Sequence, residues 1–251
     1  MTTNTLNRVP AVTAYFWVIK VLCTTVGETA ADFLNEEMNL GLVGTTLLMT
    51  LLFCVALFLQ FRSKRYVPTI YWSVVVLISV VGTLVTDNLT DKVGVPLEVS
   101  TLGFGVALLA TLGAWYSTEG TLSILSIVTS RRESFYWGAV LLTFALGTAA
   151  GDWLGEDLGW GYRTSAVLFA AAIGVVAAAH YWARLNSVLA FWLAYILTRP
   201  LGASLGDYLS QSPADGGLGL GTIVTSAVFI GSILAAVLYL TVTKRDVVST
   251  T

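Results

Sequence analysis

The chain has 251 residues, of which 56% are hydrophobic and 11% charged, with a mean hydropathy of +0.79 and a formal net charge of −2. So little charge excludes an ordinary water-soluble domain. The near-neutral total is uninformative, because in a membrane protein the distribution of charge carries the information.

A bilayer core about 30 Å thick needs roughly 20 apolar residues per spanning helix. Eight such segments are predicted in chain order, at roughly 12–32, 40–61, 68–88, 97–117, 134–153, 163–183, 187–208 and 219–243. The first follows a short polar tail but has no small-residue cleavage site, so it reads as a retained span rather than a signal peptide. Cys23 and Cys54 fall inside the first two spans, where a thiol is a small apolar packer. His180, the sole histidine, adjoins Tyr181 and Trp182 at the end of the sixth span and reads as interfacial. The segments between spans alternate in charge. Arg8, Arg62, Lys64, Arg65, Arg131, Arg132, Arg184, Lys244 and Arg245, nine of the thirteen basic residues, fall on one side. The opposite loops carry Glu36, Glu37, Asp91, Glu98, Glu156, Asp157 and Asp215, with only Lys92 and Arg163. Basic loops stay inside, so both termini are expected in the cytoplasm of a multi-pass protein of the cell inner (plasma) membrane.

A repeat is visible in the odd-numbered segments. They open with the pairs Phe16-Trp17, Tyr71-Trp72, Tyr136-Trp137 and Phe191-Trp192. Ten residues after each Trp stands Gly27, Gly82, Gly147 or Gly202, and five residues later Asp32, Asp87, Asp152 or Asp207. The glycines lie 55, 65 and 55 residues apart, as if a pair of hairpins had been duplicated and joined by a longer loop. Two spans per unit return the chain to the same side. The expected fold is therefore all-α integral membrane, eight transmembrane helices as four parallel helical-hairpin repeats, pseudo-symmetric about the membrane normal. Residues 1–251 form a single membrane domain with repeats at approximately 11–62, 66–117, 131–183 and 187–243. The Trp rings read as interfacial anchors. The glycines read as points of close helix packing, with a helix break as the alternative.

Residues four apart share a helix face, and counting from each aspartate exposes a polar column. The first is Thr24, Glu28, Asp32, Glu36; the second Ser79, Thr83, Asp87, Asp91; the third Phe144, Thr148, Asp152, Glu156; the fourth Arg199, Ala203, Asp207, Gln211. A charged group at the bilayer centre costs at least ~2.5–3.5 kcal/mol, so these faces should turn toward one another or toward water. The simpler alternative makes the aspartates mere helix ends at the outer interface. Glu28, one turn deeper, with Thr83 and Thr148 in its equivalent positions, favours an acidic vestibule. The even helices add Thr45, Thr46, Ser100, Thr101, Thr164, Ser165 and Thr222, read as N-caps, as interhelical donors or as cavity lining. Lys20 is expected to snorkel to the cytoplasmic interface, and Arg199 to pair with a repeat carboxylate.

Converging carboxylates and hydroxyls suit hard cations. The expected function is a membrane transporter for a small cation, most readily manganese or another hard divalent metal, with proton coupling as an option. Glu28, Asp32, Asp87, Asp152 and Asp207 are the candidate cation-binding, metal or proton-coupling residues. Thr24, Thr83, Thr148, Lys20 and Arg199 support them. The alternatives are a cation channel and a structural or accessory membrane protein. Ser204-Leu205-Gly206-Asp207 lacks the first glycine of an intramembrane aspartyl protease motif, and no enzyme activity, cofactor or nucleic-acid partner is expected. The expected partners are the lipid bilayer and a small cation, and a homo-oligomer is compatible with the sequence.

From Tyr15 to Leu34, with Lys20, Thr24-Thr25, Gly27-Glu28 and Asp32, the chain resembles a bacterial family of uncharacterised membrane-anchored proteins built from four short membrane repeats. The resemblance extends over the whole chain and implies the repeat architecture without an activity. The fourth repeat departs from it by placing Arg199 and Ala203 where the first has Thr24 and Glu28. A looser similarity of the acidic helical motifs is to manganese-exporting membrane families.

Overall fold

A computed structural model describes residues 7–247. Eight long helices carry the fold among these residues, with no strand: α1 (Ala14–Asp32), α2 (Gly41–Arg62), α3 (Pro68–Asp87), α4 (Leu97–Glu119), α5 (Ser130–Asp152), α6 (Tyr162–Trp182), α7 (Ser187–Ser210) and α8 (Thr222–Thr243). Their starts follow local chemistry. The side chains of Thr13, Thr129 and Asn186 accept hydrogen bonds from the first free backbone N–H groups of α1, α5 and α7, and Pro68 opens α3, where its missing N–H costs nothing.

Seven of the eight, α2 to α8, are long and apolar enough to cross a membrane. α1 falls short because Lys20, Thr24, Thr25, Glu28 and Thr29 dilute its apolar content. Those five side chains are all buried. Their polarity is turned inward, not toward the surroundings.

The helices form two layers. α1 packs on α3 and α7, and α5 packs on α3 and α7, so the odd helices close a ring of four. Residues buried within the protein make up 56–67% of the apolar stretches of α3, α5 and α7, against 11–28% for α2, α4, α6 and α8. The even helices are therefore the outer layer, and leucines and valines such as Leu51, Leu102, Leu109, Val167, Val175 and Leu234 face outward. The outer helices are not laid along their own hairpin partners. α2 packs on α3, α4 on α5, α6 on α7 and α8 on α1. Each outer helix leans on the next repeat, so the hairpin seen in chain order is a connection rather than a packing unit.

The glycines explain how the ring closes. A Cβ at Gly27 would fall on Ser79, one at Gly82 on Phe144, one at Gly147 on Arg199 and one at Gly202 on Thr24. In every case the partner lies eight residues before the aspartate of the next repeat. The same contact made four times in the same register means that the four inner helices run in the same direction. Only a residue without a side chain allows this approach. The helix continues through all four glycines, so the helix-break alternative is wrong.

Of the four repeat tryptophans, Trp72, Trp137 and Trp192 are buried against other side chains and Trp17 is half-buried. Trp192 of α7 meets Trp115 of the outer helix α4 edge-on, and Trp137 of α5 lies tilted against Tyr71 of α3, the offset geometries that aromatic pairs prefer. Cys23 is buried and Cys54 exposed, and both are free thiols.

Candidate functional site

The site is built by stacking the polar column of each inner helix inside the ring. α1, α3 and α5 each continue beyond their aspartate as a five-residue π-helical turn, Phe33–Glu37, Asn88–Lys92 and Trp153–Asp157. π-Turns often mark functional positions, because they re-aim side chains within a helix. α7 has no such turn and carries Pro200 in its interior, which removes one backbone donor.

Three carboxylates converge at the aspartate level. One oxygen each from Glu28, Asp152 and Asp207 lies within 4.8 Å of the others. Asp32 and Asp87 are half-buried at the same level and within Coulombic range of Glu28 and of each other. Among the described residues no carboxylate oxygen of the four aspartates accepts a hydrogen bond, while the Asp207 backbone carbonyl accepts from the Gln211 N–H at 2.8 Å.

One turn deeper, Arg199 fills the centre of the ring with no solvent exposure. Its Nη2 donates to Glu28 Oε2 at 2.7 Å, to Thr148 Oγ1 at 2.7 Å and to Thr83 Oγ1, while Nη1 donates to the Thr24 carbonyl at 2.9 Å. All four repeats thus meet at one guanidinium. The expected pairing of Arg199 with a repeat carboxylate is met by Glu28, and Thr24 contributes its carbonyl rather than its hydroxyl.

Lys20 does not snorkel. It is 1% exposed and its Nζ sits 4.1 Å from the Phe144 ring centre and 4.2 Å from that of Tyr195. The reason is position: Lys20 lies twelve residues before Asp32 on the inner face of α1, where side chains of α5 and α7 cover it. Below it Phe16, Tyr71, Tyr136 and Phe191 are all buried, with the Tyr71 and Tyr136 hydroxyls hydrogen-bonded and Phe16 against Phe191.

The even-helix hydroxyls are not N-caps, since none of α2, α4, α6 or α8 has a side-chain cap. Thr46 accepts from Asn88 at 2.8 Å and Thr222 bonds Glu37. The hydroxyls of Thr45, Ser100, Thr101 and Ser165 are buried and have no hydrogen-bond partner among the described residues.

Each repeat carries the same frame, and a family model matches it four times, at residues 15–66, 70–121, 135–186 and 190–246, under the description Repeat of Unknown Function (DUF347). The chain belongs to this family. Each match begins one residue before an aromatic pair, so the DUF347 repeats keep the phase of the glycine and aspartate spacing. No curated protein and no solved structure matches the chain.

The opposite end of the ring holds a cluster that sequence reading did not single out. Arg8 pairs with the fully buried Glu133 at 2.6 Å, and Gln60 Nε2 donates to the same carboxylate at 2.8 Å. Tyr66 bonds Asp246. Burial holds the Asp246 carboxyl above the usual carboxylate range and pushes the Tyr66 phenol up. Backbone bonds from Arg8 to Ile127, Tyr66 to Asn7 and Ala11 to Asp246 tie the segment 7–11 across this end. The only available signal was a lone Glu133 near the start of an apolar helix.

Proposed function

We propose that the chain is a multi-pass carrier of a small hard cation, with eight spanning helices in four parallel repeats about an axis along the membrane normal. The outward-facing leucines and valines of α2, α4, α6 and α8 support the bilayer setting. The basic residues at the end holding Arg8, Arg65 and Lys244 support cytoplasmic termini in the cell inner membrane. α1 serves as the eighth span because its polar face is covered by α3 and α7.

The observation that carries this reading is the convergence of Glu28, Asp152 and Asp207 beside Arg199. Two oxygens on one cation at ~2.1–2.5 Å stand no more than about 5 Å apart, so this triplet fits a single manganese-like ion. Asp32 and Asp87 then set the negative potential that draws the ion in. Arg199 is the internal cation that neutralises Glu28 when the ion has left. A channel would need an open axis, whereas Arg199, Lys20, Tyr71 and Tyr136 fill this one; an alternating carrier is therefore preferred.

The test is uptake of manganese, calcium and magnesium ions by vesicles containing the purified protein. Asp152→Asn and Asp207→Asn are expected to abolish flux and weaken binding, with Asp32→Asn milder. Unchanged flux in all three variants would remove the site.

A further inference from the structure

At the basic end of the ring a cavity of about 310 Å³ opens between the start of α3 and the end of α8, a size that suits a small ligand. Val9, Val67, Pro68 and Leu240 form its apolar wall, Arg65 and Lys244 are its charged members, and no acidic residue lines it. Among the described residues neither Arg65 nor Lys244 forms an ion pair. The acid nearest to Lys244 in sequence, Asp246, is 1% exposed and bonds the Tyr66 hydroxyl, so it does not offset them at the cavity.

The start of α3 adds to the same positive potential. Val67 gives this helix no side-chain cap and Pro68 has no N–H, and the first backbone bond of the helix runs from Tyr71 to Val67 at 3.0 Å. The N–H groups of Thr69 and Ile70 therefore lack a partner within the helix, at the end of the helix dipole that favours an anion. The other side of the cavity leads to the bilayer. Thr241 of α8 lines it, while Leu238 and Val242 beside Thr241 are 61% and 80% exposed on the outer layer. A basic recess thus adjoins an apolar flank. A soluble anion would use only the first, whereas an anionic lipid uses both.

We propose that this cavity seats the phosphate headgroup of an anionic glycerolipid of the cytoplasmic leaflet, with the acyl chains lying along α8. Such leaflets are negatively charged and draw basic recesses at helix ends. The inference rests on the bilayer setting and topology proposed above and is independent of the cation site. Charge complementarity favours lipid over the chain's own ends, since residues 1–6 and 248–251 carry no acidic side chain.

The test titrates the full chain in detergent with dioleoyl phosphatidylglycerol or dioleoyl phosphatidylcholine and counts bound lipid per chain by native mass spectrometry. Phosphatidylglycerol is expected to fill one site per chain and to bind it more tightly than phosphatidylcholine. Arg65→Gln with Lys244→Gln should weaken that site about 30-fold, at about fivefold per basic residue. Arg62→Gln with Lys64→Gln removes the same charge from exposed positions outside the cavity and should leave the site unchanged. Equal weakening by the two pairs would mean a diffuse basic surface and overturns the inference, as does an unchanged site in the Arg65 and Lys244 variant or no preference for phosphatidylglycerol in wild type. Glycerol 3-phosphate at equal concentration should not compete; full competition assigns the cavity to a free phosphate and overturns the lipid. A lipid-free dimer that the Arg65 and Lys244 variant converts to monomer would seat a second copy there and also overturns it. Manganese(II) uptake by vesicles of the same protein reports on the carrier separately, so the failure of one reading is told apart from the failure of the other.

Discussion

The first three repeats and the fourth share a frame and differ in what they put inside it. Repeats one to three present a hydroxyl or acid one turn below the aspartate, Glu28, Thr83 and Thr148, and end their inner helix in a π-turn. The fourth presents Ala203 there, inserts Arg199 and Pro200, and ends α7 without the π-turn. Three repeats therefore supply acceptors and one supplies the donor they converge on. Glycine contacts keep the ring equivalent while the polar residues make its centre unequal. A site at the axis needs that inequality, since four identical side chains meeting there would be either four like charges or none.

The comparison breaks most sharply at Arg199. Arg199→Met leaves Glu28 buried without its partner and is expected to cost ~3–5 kcal/mol of stability, measured by thermal or denaturant unfolding in detergent. Adding Glu28→Gln to that variant should restore much of the loss. A double variant as unstable as the single would mean that the two side chains do not act as a pair.

The shared frame is tested next. Gly147→Ala places a methyl against Arg199 and Pro200 and is expected to cost about 1–3 kcal/mol through overpacking. Gly231→Ala on the outer helix α8 meets no neighbour and should gain up to ~1 kcal/mol from helix propensity. Equal effects at the two positions would remove the claim that the inner glycines set the ring radius.

The smallest effect concerns the tail of the fourth repeat. Asp246 is held above its ordinary range by burial, so its native state binds a proton more tightly than its unfolded state. Its contribution is therefore fully present below the ordinary aspartate pKa and is lost as pH rises through the raised native value. The amide of Ala11, which donates to the Asp246 carbonyl at 2.8 Å, should exchange faster as pH rises through that range, after correction for intrinsic exchange. Asp246→Asn should abolish that added dependence.

Much of the molecule was legible from its residues. The aromatic, glycine and aspartate spacing identified the four repeats, and the bounds of all eight segments lie within about four residues of the helices. Arg199 pairing with a carboxylate was also legible, because a lone guanidinium in an apolar helix has few other destinations. Lys20 was misread because interface and interior offer similar chemistry to an amphipathic side chain, and sequence does not tell which face of a helix is covered. Glu133 and Asp246 were passed over because their partners are 125 and 180 residues away in the chain.

The sequence alone determined helix number, repeat phase and the presence of a polar stripe on three of the four inner helices. These follow from apolar length, fixed spacing and the 3.6-residue period, all of which are local. Only the tertiary structure decided that each outer helix packs on the following repeat, that Glu28, Asp152 and Asp207 converge while Asp32 and Asp87 stand beside them, and that Lys20 is sealed inside. Those outcomes depend on which helix faces meet around the ring, and that is settled by close glycine contacts between repeats far apart in the chain.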